Sequence, residues 1–161
     1  MIERRRRRAV EEVREPEALP PVRVLVDSGP LIALFNARDG WHATVIDWLR
    51  SNRSTKLVTT WPVMTEVCAL LSRRVRRDAA LDFLRWVERG GVLLDVPDGG
   101  SLRDVLKTSE RYADLPLDLA DASVTEAAGR LRIGHVLSID SDFSVYRDET
   151  GRALRNPLLG T

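Results

Sequence analysis

The sequence of 161 residues contains a single cysteine, Cys68, so it cannot form an internal disulfide. It also contains no apolar run close to the roughly 18 residues that a membrane span requires. We therefore expect a protein without membrane spans that resides in a reducing cytoplasm. The chain is long enough to bury one substantial core without covalent staples, which predicts a single folded domain.

The chain also lacks a large net charge, since its formal charge at pH 7 is only +1. It therefore has no overall positive field of the kind that attracts nucleic acids. All of its 25 basic residues except Lys56 and Lys107 are arginine. This bias reflects either phosphate recognition by the guanidinium group or the composition of the genome, so charge does not decide the partner. The two histidines, His42 and His135, lie at predicted element starts, and we assign them no catalytic role.

Residues 1–21 differ in composition from the rest of the chain. Arginines 4–8 form an unbroken run, acidic residues nearly balance them, and three prolines follow. The segment lacks the apolar stretch of a secretory signal. We interpret it as a flexible N-terminal extension, either a solvated tail or a basic arm that contacts RNA. Residues 22–161 then form the folded domain.

From Val22 onward, short β-branched runs alternate with stretches of helical periodicity. The predicted strands are 22–26, 56–60, 92–96 and 136–139. The predicted helices are 30–35, 41–50, 62–73, 78–89, 101–112 and 117–132. Such alternation predicts a three-layer α/β/α sandwich with a central, mainly parallel sheet.

Several predicted strands end at an acidic residue or are followed by one early in the next helix. Asp27 and Asp140 each end a strand, and Glu66 lies about one turn inside the helix after the second strand. Asp118 and Asp121 are three residues apart, which predicts neighbours on one helical face. The functional crevice of a parallel α/β sheet lies beyond the carboxyl ends of its strands. We therefore expect these acids to converge there.

A cluster of carboxylates needs compensation, because two of them about 4 Å apart repel by about 4 kcal/mol at an effective dielectric near 20. Protonation, arginine or a cation can supply it. We favour Mg²⁺ or Mn²⁺, which binds several carboxylate oxygens and also a phosphate oxygen. Such a site predicts hydrolysis of phosphodiester bonds. The alternative is that each acid is an ordinary helix cap, turn residue or surface residue.

Four motifs together resemble the PIN domain family, in particular its VapC toxin branch, over about residues 22–150. They are VLVDSGPLIALF at 24–35, TEV at 65–67, LDLADA at 117–122 and LSIDSDF at 137–143. The resemblance implies a catalytic acidic quartet that binds Mg²⁺ or Mn²⁺. The quartet consists of Asp27, Glu66, Asp121 and Asp140.

The same resemblance implies that Asp118 and Asp142 support the metal. It further implies that Ser28 and Ser138 orient the first and last acids or contact RNA phosphate, although both could equally be simple caps. An endoribonuclease, a homodimer and a cognate antitoxin partner are also implied by the family alone.

Arginines at the end of the third predicted helix, including Arg73 and Arg74, are candidates for RNA binding beside Glu66. A solvated helix end explains them as well. The alternative function is a non-catalytic PIN-like module that binds RNA or protein, which the intact quartet disfavours. A phosphatase of the haloacid-dehalogenase type is disfavoured because Gly29 stands where its second aspartate would be.

Overall fold

A computed structural model describes residues 22–161, so the predicted extension 1–21 lies outside the described residues. The central sheet contains β1 (Arg23–Val26), β2 (Lys56–Thr59), β3 (Leu93–Leu94) and β4 (Val136–Leu137). Its strand order is β3-β2-β1-β4, and every neighbouring pair is parallel. The predicted parallel α/β fold is confirmed, although β3 and β4 are shorter than predicted.

The two central strands show why the sheet forms from this sequence. In β1 and in β2 the first residue is charged and exposed, and the next three residues are buried. Burial on both faces suits the continuous apolar runs of a parallel sheet that helices cover. In β1 this burial extends one residue further, to Asp27, which is only 7% exposed.

Within residues 22–161, six helices and a short 3₁₀ turn at Asp142–Ser144 surround the sheet. The helices are α1 (Ser28–Leu34), α2 (His42–Ser51), α3 (Trp61–Arg74), α4 (Arg77–Glu88), α5 (Ser101–Arg111) and α6 (Leu119–Leu131). Within residues 22–161 no helix is both long and apolar enough to cross a membrane.

The boundary between α3 and α4 differs from the prediction. The helix predicted over 78–89 begins at Arg77, its N-cap is Arg76 in an extended conformation, and Asp78 lies in the first turn. The backbone amides of Val75 and Arg76 both donate to the carbonyl oxygen of Leu71, at 3.0 Å each, and end α3. Arg73 and Arg74 therefore belong to the last turn of α3, whereas Arg77 begins α4.

Helix α6 buries eight of its 13 residues, and most of these side chains are small. Ala122, Ala127 and Ala128 are fully buried there. Small side chains let the helix backbone approach its neighbours closely. The start of α6, which carries two of the predicted site acids, is thereby fixed relative to the strands.

Gly29 in the first turn of α1 permits a second close approach. A β-carbon at this position would lie 2.5 Å from Cγ1 and 2.8 Å from Cδ1 of Ile139. Ile139 directly precedes Asp140, so the absence of a side chain at Gly29 allows the ends of β1 and β4 to lie side by side.

We expect Gly29→Ala to destabilise the protein by about 1–3 kcal/mol, because the added methyl group overlaps Ile139. Gly40→Ala is the matched control, since the space beside Gly40 is open. The control should be neutral or stabilising by up to about 1 kcal/mol. Urea unfolding measures both effects. Equal stability of the two variants would contradict the close contact.

Candidate active site

Asp27 follows β1 and occupies the N-cap position of α1, but its carboxylate does not cap that helix. Instead, its Oδ2 accepts a hydrogen bond of 2.9 Å from the Ser138 hydroxyl. Burial raises the pKa of Asp27 from 3.8 to about 6, and the charges of Glu66 and Asp118 add to the increase. Hydrogen bonds from the Ser28 backbone and from Ser138 partly oppose it. Asp27 is therefore a desolvated acid in a negative field.

Ser138 connects the first and last acids of the predicted quartet. Its hydroxyl donates to Asp27 and accepts from the backbone amide of Asp140 at 3.0 Å. The residue is completely buried. The side-chain amide of Asn156 donates to the Ser138 carbonyl oxygen at 2.8 Å and anchors the segment from behind.

Asp118 and Asp121 form a reciprocal capping box at the start of α6. Oδ1 of Asp118 accepts from the backbone amide of Asp121 at 2.9 Å. Oδ2 of Asp121 accepts from the backbone amide of Asp118 at 3.3 Å. The prediction that both lie on one helical face was wrong, because Asp118 precedes the helix. They are neighbours because a cap residue and the third helical residue face each other.

Asp121 is the second acid with a strongly perturbed ionisation. Burial raises its pKa from 3.8 to about 7, and the charges of Asp27, Asp118 and Glu66 raise it further. The hydrogen bond with the Asp118 backbone opposes this increase. The mutual effects place Asp27, Glu66, Asp118 and Asp121 in one electrostatic cluster.

Glu66 reaches this cluster from α3. It is half-buried, and it lines a cavity of about 530 Å³ together with Asp118, Trp61 and Leu119. The start of α3 is tied to α6 by a 2.7 Å hydrogen bond between the hydroxyls of Thr60 and Ser123.

Asp140 and Asp142 lie in the segment that follows β4. Asp140 is exposed, and its Oδ1 accepts from the backbone amide of Asp142 at 3.3 Å. The charges of both acids, with those of Asp121 and Asp118, act on the buried Tyr146. The structure therefore brings the predicted acids to one edge of the sheet.

A strand-end position alone does not make an acid part of this cluster. Asp95 also follows a strand, β3, but Arg130 binds its carboxylate in a salt bridge of 2.5 Å and also binds Glu126 at 2.7 Å. None of the ion pairs within residues 22–161 involves a predicted site acid. The predicted site acids therefore share the absence of a salt bridge within residues 22–161, in contrast to Asp95.

Comparison with known proteins assigns the chain to a family. The model of the PIN domain family matches residues 24–149. The chain belongs to the PIN domain family. The resemblance of its four motifs is thus confirmed over most of the chain.

Relatives of this PIN domain include ribonuclease VapC26 of Mycobacterium tuberculosis, 28% identical over 125 residues, which are 77% of this chain and 92% of the relative. Among solved structures, Mycobacterium tuberculosis VapC20, described as a toxin that cleaves the sarcin-ricin loop, aligns with a TM-score of 0.69 at 22% identity. That alignment covers 76% of this chain and 93% of VapC20.

A second solved neighbour is VapBC2 from Rickettsia felis, bound to a DNA fragment from its promoter. It aligns with a TM-score of 0.58 at 10% identity and covers 84% of this chain and 98% of the neighbour. The two structural alignments support the fold of this PIN domain.

The donor chemistry of the PIN acids fits a divalent cation. Carboxylate oxygens are the ligands that Mg²⁺ and Mn²⁺ prefer, and the cluster carries negative charge that no neighbouring base within residues 22–161 pairs. The acidic side chains do not adopt the positions of metal ligands in this structure. No three His, Cys, Asp or Glu residues of the described chain lie in a metal-binding arrangement. Asp118 and Asp121 are instead engaged in capping.

Sequence reasoning missed two residues of this site, Tyr146 and Asn156. Tyr146 is completely buried behind the acids, and its hydroxyl has no hydrogen-bond partner within the described part of the chain. Asn156 anchors Ser138 from the C-terminal segment. Neither residue belongs to a strand-end pattern, so the sequence carries no local signal for their roles.

The structure does not bring Arg73 and Arg74 to the acids. Both are exposed in the last turn of α3, about 10–12 Å along the helix axis from Glu66. Arg74 lines a separate cavity with Arg38 and Arg76. RNA binding by Arg73 and Arg74 stays a prediction, and it concerns phosphates away from the acidic cluster.

The raised pKa of Asp27 makes stability depend on pH. Between about pH 4 and 6, Asp27 is protonated in the folded state but ionised in the unfolded chain. The folded protein therefore loses stability as the pH rises through this range, and the loss is complete above about pH 6. Asp27→Asn removes the effect. Without metal, the free energy of unfolding of the variant relative to that of wild type should increase by on the order of 3 kcal/mol between pH 4 and 8. Each pKa unit corresponds to about 1.4 kcal/mol.

Guanidinium unfolding in EDTA across this pH range measures the difference. Asp47→Asn is the control, because Asp47 is an exposed acid on α2 whose salt bridge among the described residues is with Arg50. A stability difference between wild type and Asp27→Asn that stays constant with pH would show that Asp27 ionises normally.

Proposed function

We propose that this PIN domain protein is a Mg²⁺- or Mn²⁺-dependent endoribonuclease that hydrolyses RNA phosphodiester bonds. We further propose that it is the toxin of a toxin-antitoxin pair and acts in the cytoplasm. The observation that carries the proposal is a buried Asp27 surrounded by acids that lack basic partners within residues 22–161. The ribonuclease VapC26 relative supports the choice of RNA.

In this proposal Asp27, Glu66, Asp121 and Asp140 hold the cation, and Asp118 and Asp142 support it. When bound, a divalent cation eases deprotonation of water and stabilises charge on the attacked phosphate. Ser138 holds the Asp27 carboxylate in position through its 2.9 Å hydrogen bond. The serine hydroxyl cannot donate to both acids, so Asp140 is oriented through its backbone amide instead.

Proton release accompanies the assembly of such a site. The pKa of Asp27 is about 6 and that of Asp121 about 7, so at neutral pH both acids are partly protonated without a cation. A cation replaces these protons, and its affinity therefore increases with pH.

Ser28 contributes its backbone amide to Asp27 and lies at the rim, half-buried, where its hydroxyl can contact RNA.

We expect Asp27→Asn to lower RNA cleavage by at least about 100-fold. Loss of a residue that merely orients a ligand costs about 10–100-fold, and loss of a ligand should cost no less. Asp47→Asn is the matched control on the exposed face of α2 and should cleave like wild type. The assay uses a structured RNA mixture with Mg²⁺, Mn²⁺ or EDTA.

Cleavage that persists in EDTA or in Asp27→Asn would contradict the proposal. A wild type that binds Mn²⁺ and RNA but does not cut any RNA in the mixture would favour the non-catalytic PIN-like binding module.

An exposed apolar surface beside the acids indicates where protein partners bind. Trp61, Leu102 and Leu119 line one cavity of about 300 Å³ and are 49%, 78% and 61% exposed. Contiguous exposed apolar groups of this kind mark protein interfaces. We propose that a second copy of the chain covers this surface in a homodimer, because two-fold dimers with self-complementary patches are the commonest assemblies. An antitoxin is the second proposed partner, and the VapBC2 neighbour supports it.

We expect Leu102→Glu to convert the dimer to a monomer, because a charge at the centre of a desolvated interface has no partner. Leu81→Glu is the control, since Leu81 is an exposed leucine on α4 outside this surface. Sedimentation equilibrium measures the mass of each variant. A wild-type monomer, or a dimer that survives Leu102→Glu, would contradict the proposed interface.

A further inference from the structure

Tyr146 buries a hydroxyl group without an evident structural use. The side chain is 0% exposed, and its ring packs against Tyr112 at 5.2 Å and Phe143 at 5.4 Å between centroids. Tyr146 Oη is the only completely buried side-chain polar atom of residues 22–161 that has no hydrogen-bond partner. Burial of an unpaired hydroxyl is unfavourable, and phenylalanine would fill the same space without that penalty.

The surroundings of this hydroxyl are acidic. After burial, the charge of Asp121 contributes most to raising the pKa of Tyr146, followed by Asp142, Asp140 and Asp118. The phenol therefore stays protonated near neutral pH and can donate one hydrogen bond. The groups near enough to influence it are the carboxylates of the proposed metal site.

Asp121 has the most to gain from such a donor. Its carboxylate now accepts from the backbone amide of Asp118 over 3.3 Å, which is long for a hydrogen bond. A cation bound by Asp121 would compete with this long hydrogen bond for the same carboxylate. A carboxylate ligand is usually held in place by a further hydrogen bond from the surrounding protein.

We propose that Tyr146 is a positioning residue whose hydroxyl donates a hydrogen bond to the Asp121 carboxylate when Asp121 binds a divalent cation. The hydroxyl is unpaired in the metal-free fold and becomes paired in the metal-bound fold. This inference rests on the proposed metal-dependent nuclease. It adds a residue that lies outside the acidic motifs and touches neither the cation nor RNA.

The experiment compares Tyr146→Phe with Tyr112→Phe in the full-length protein. The two tyrosine rings pack against each other, but the Tyr112 hydroxyl already accepts a 2.9 Å hydrogen bond from the backbone amide of Arg147. Melting temperature in EDTA reports the metal-free fold. Calorimetric titration with Mn²⁺ in the absence of RNA reports metal affinity without any contribution from cleavage.

For Tyr146→Phe we expect a melting temperature in EDTA equal to or above that of wild type, and a Mn²⁺ affinity lower by about 10-fold or more. For Tyr112→Phe we expect the reverse pattern, a lower melting temperature with unchanged Mn²⁺ affinity. A residue with a purely structural role cannot gain stability and lose metal binding together.

Three outcomes would overturn the inference. Unchanged Mn²⁺ affinity in Tyr146→Phe would show that the hydroxyl does not act on the metal site, while the proposed nuclease stands. A lower melting temperature in EDTA would show that the hydroxyl is already paired in the metal-free fold. A wild type that fails to bind Mn²⁺ would remove both the metal-dependent nuclease and the role of Tyr146.

Discussion

The Asp27 carboxylate lies at the end of a buried strand, where water has almost no access and where the nearest charges have its own sign. A single side-chain hydroxyl, that of Ser138, donates to it. This arrangement constrains the surrounding elements. Gly29 must lack a side chain so that the segment with Ser138 and Ile139 can lie beside Asp27. The small residues of α6 must allow its first turn to approach the same edge. The unfavourable proximity of the acids remains acceptable because protons, or a cation, neutralise them.

The sequence was sufficient to predict the sheet, because apolar runs of four residues bounded by charge or turn residues are a local signal. Parallel pairing followed from the alternation of strands with helices. The separation of α3 from α4 was predicted, but the exact end of α3 was not, since residues 73–77 keep helical composition and contain no glycine or proline. Two backbone amides that share the Leu71 carbonyl oxygen end α3 there. Nothing in the composition of the segment specifies that choice.

The sequence predicted the proximity of the residues that follow strand ends, but not that of the residues placed by distant contacts. Asp27 and Asp140 follow strands, so topology alone places them together. Asp118 and Asp121 are close for a different reason than spacing suggested, because one caps the helix that contains the other. Asn156 and Tyr146 join the site through contacts with other segments, which no local pattern encodes. Arg73 and Arg74 looked near Glu66 in sequence, yet two turns of helix separate them from it.

The hydrogen bond between Ser138 and Asp27 joins residues 111 positions apart, and Asn156 in turn holds Ser138. Translation proceeds from the N-terminus, at about 5–20 residues per second. A ribosome-bound chain thus presents Asp27 and Glu66 for several seconds before their partners near the C-terminus exist. The contacts that hold Asp27 are completed only after residues 138–156 have been synthesised. A translation product that stops before residue 138 therefore lacks the hydrogen-bond donor of the Asp27 carboxylate.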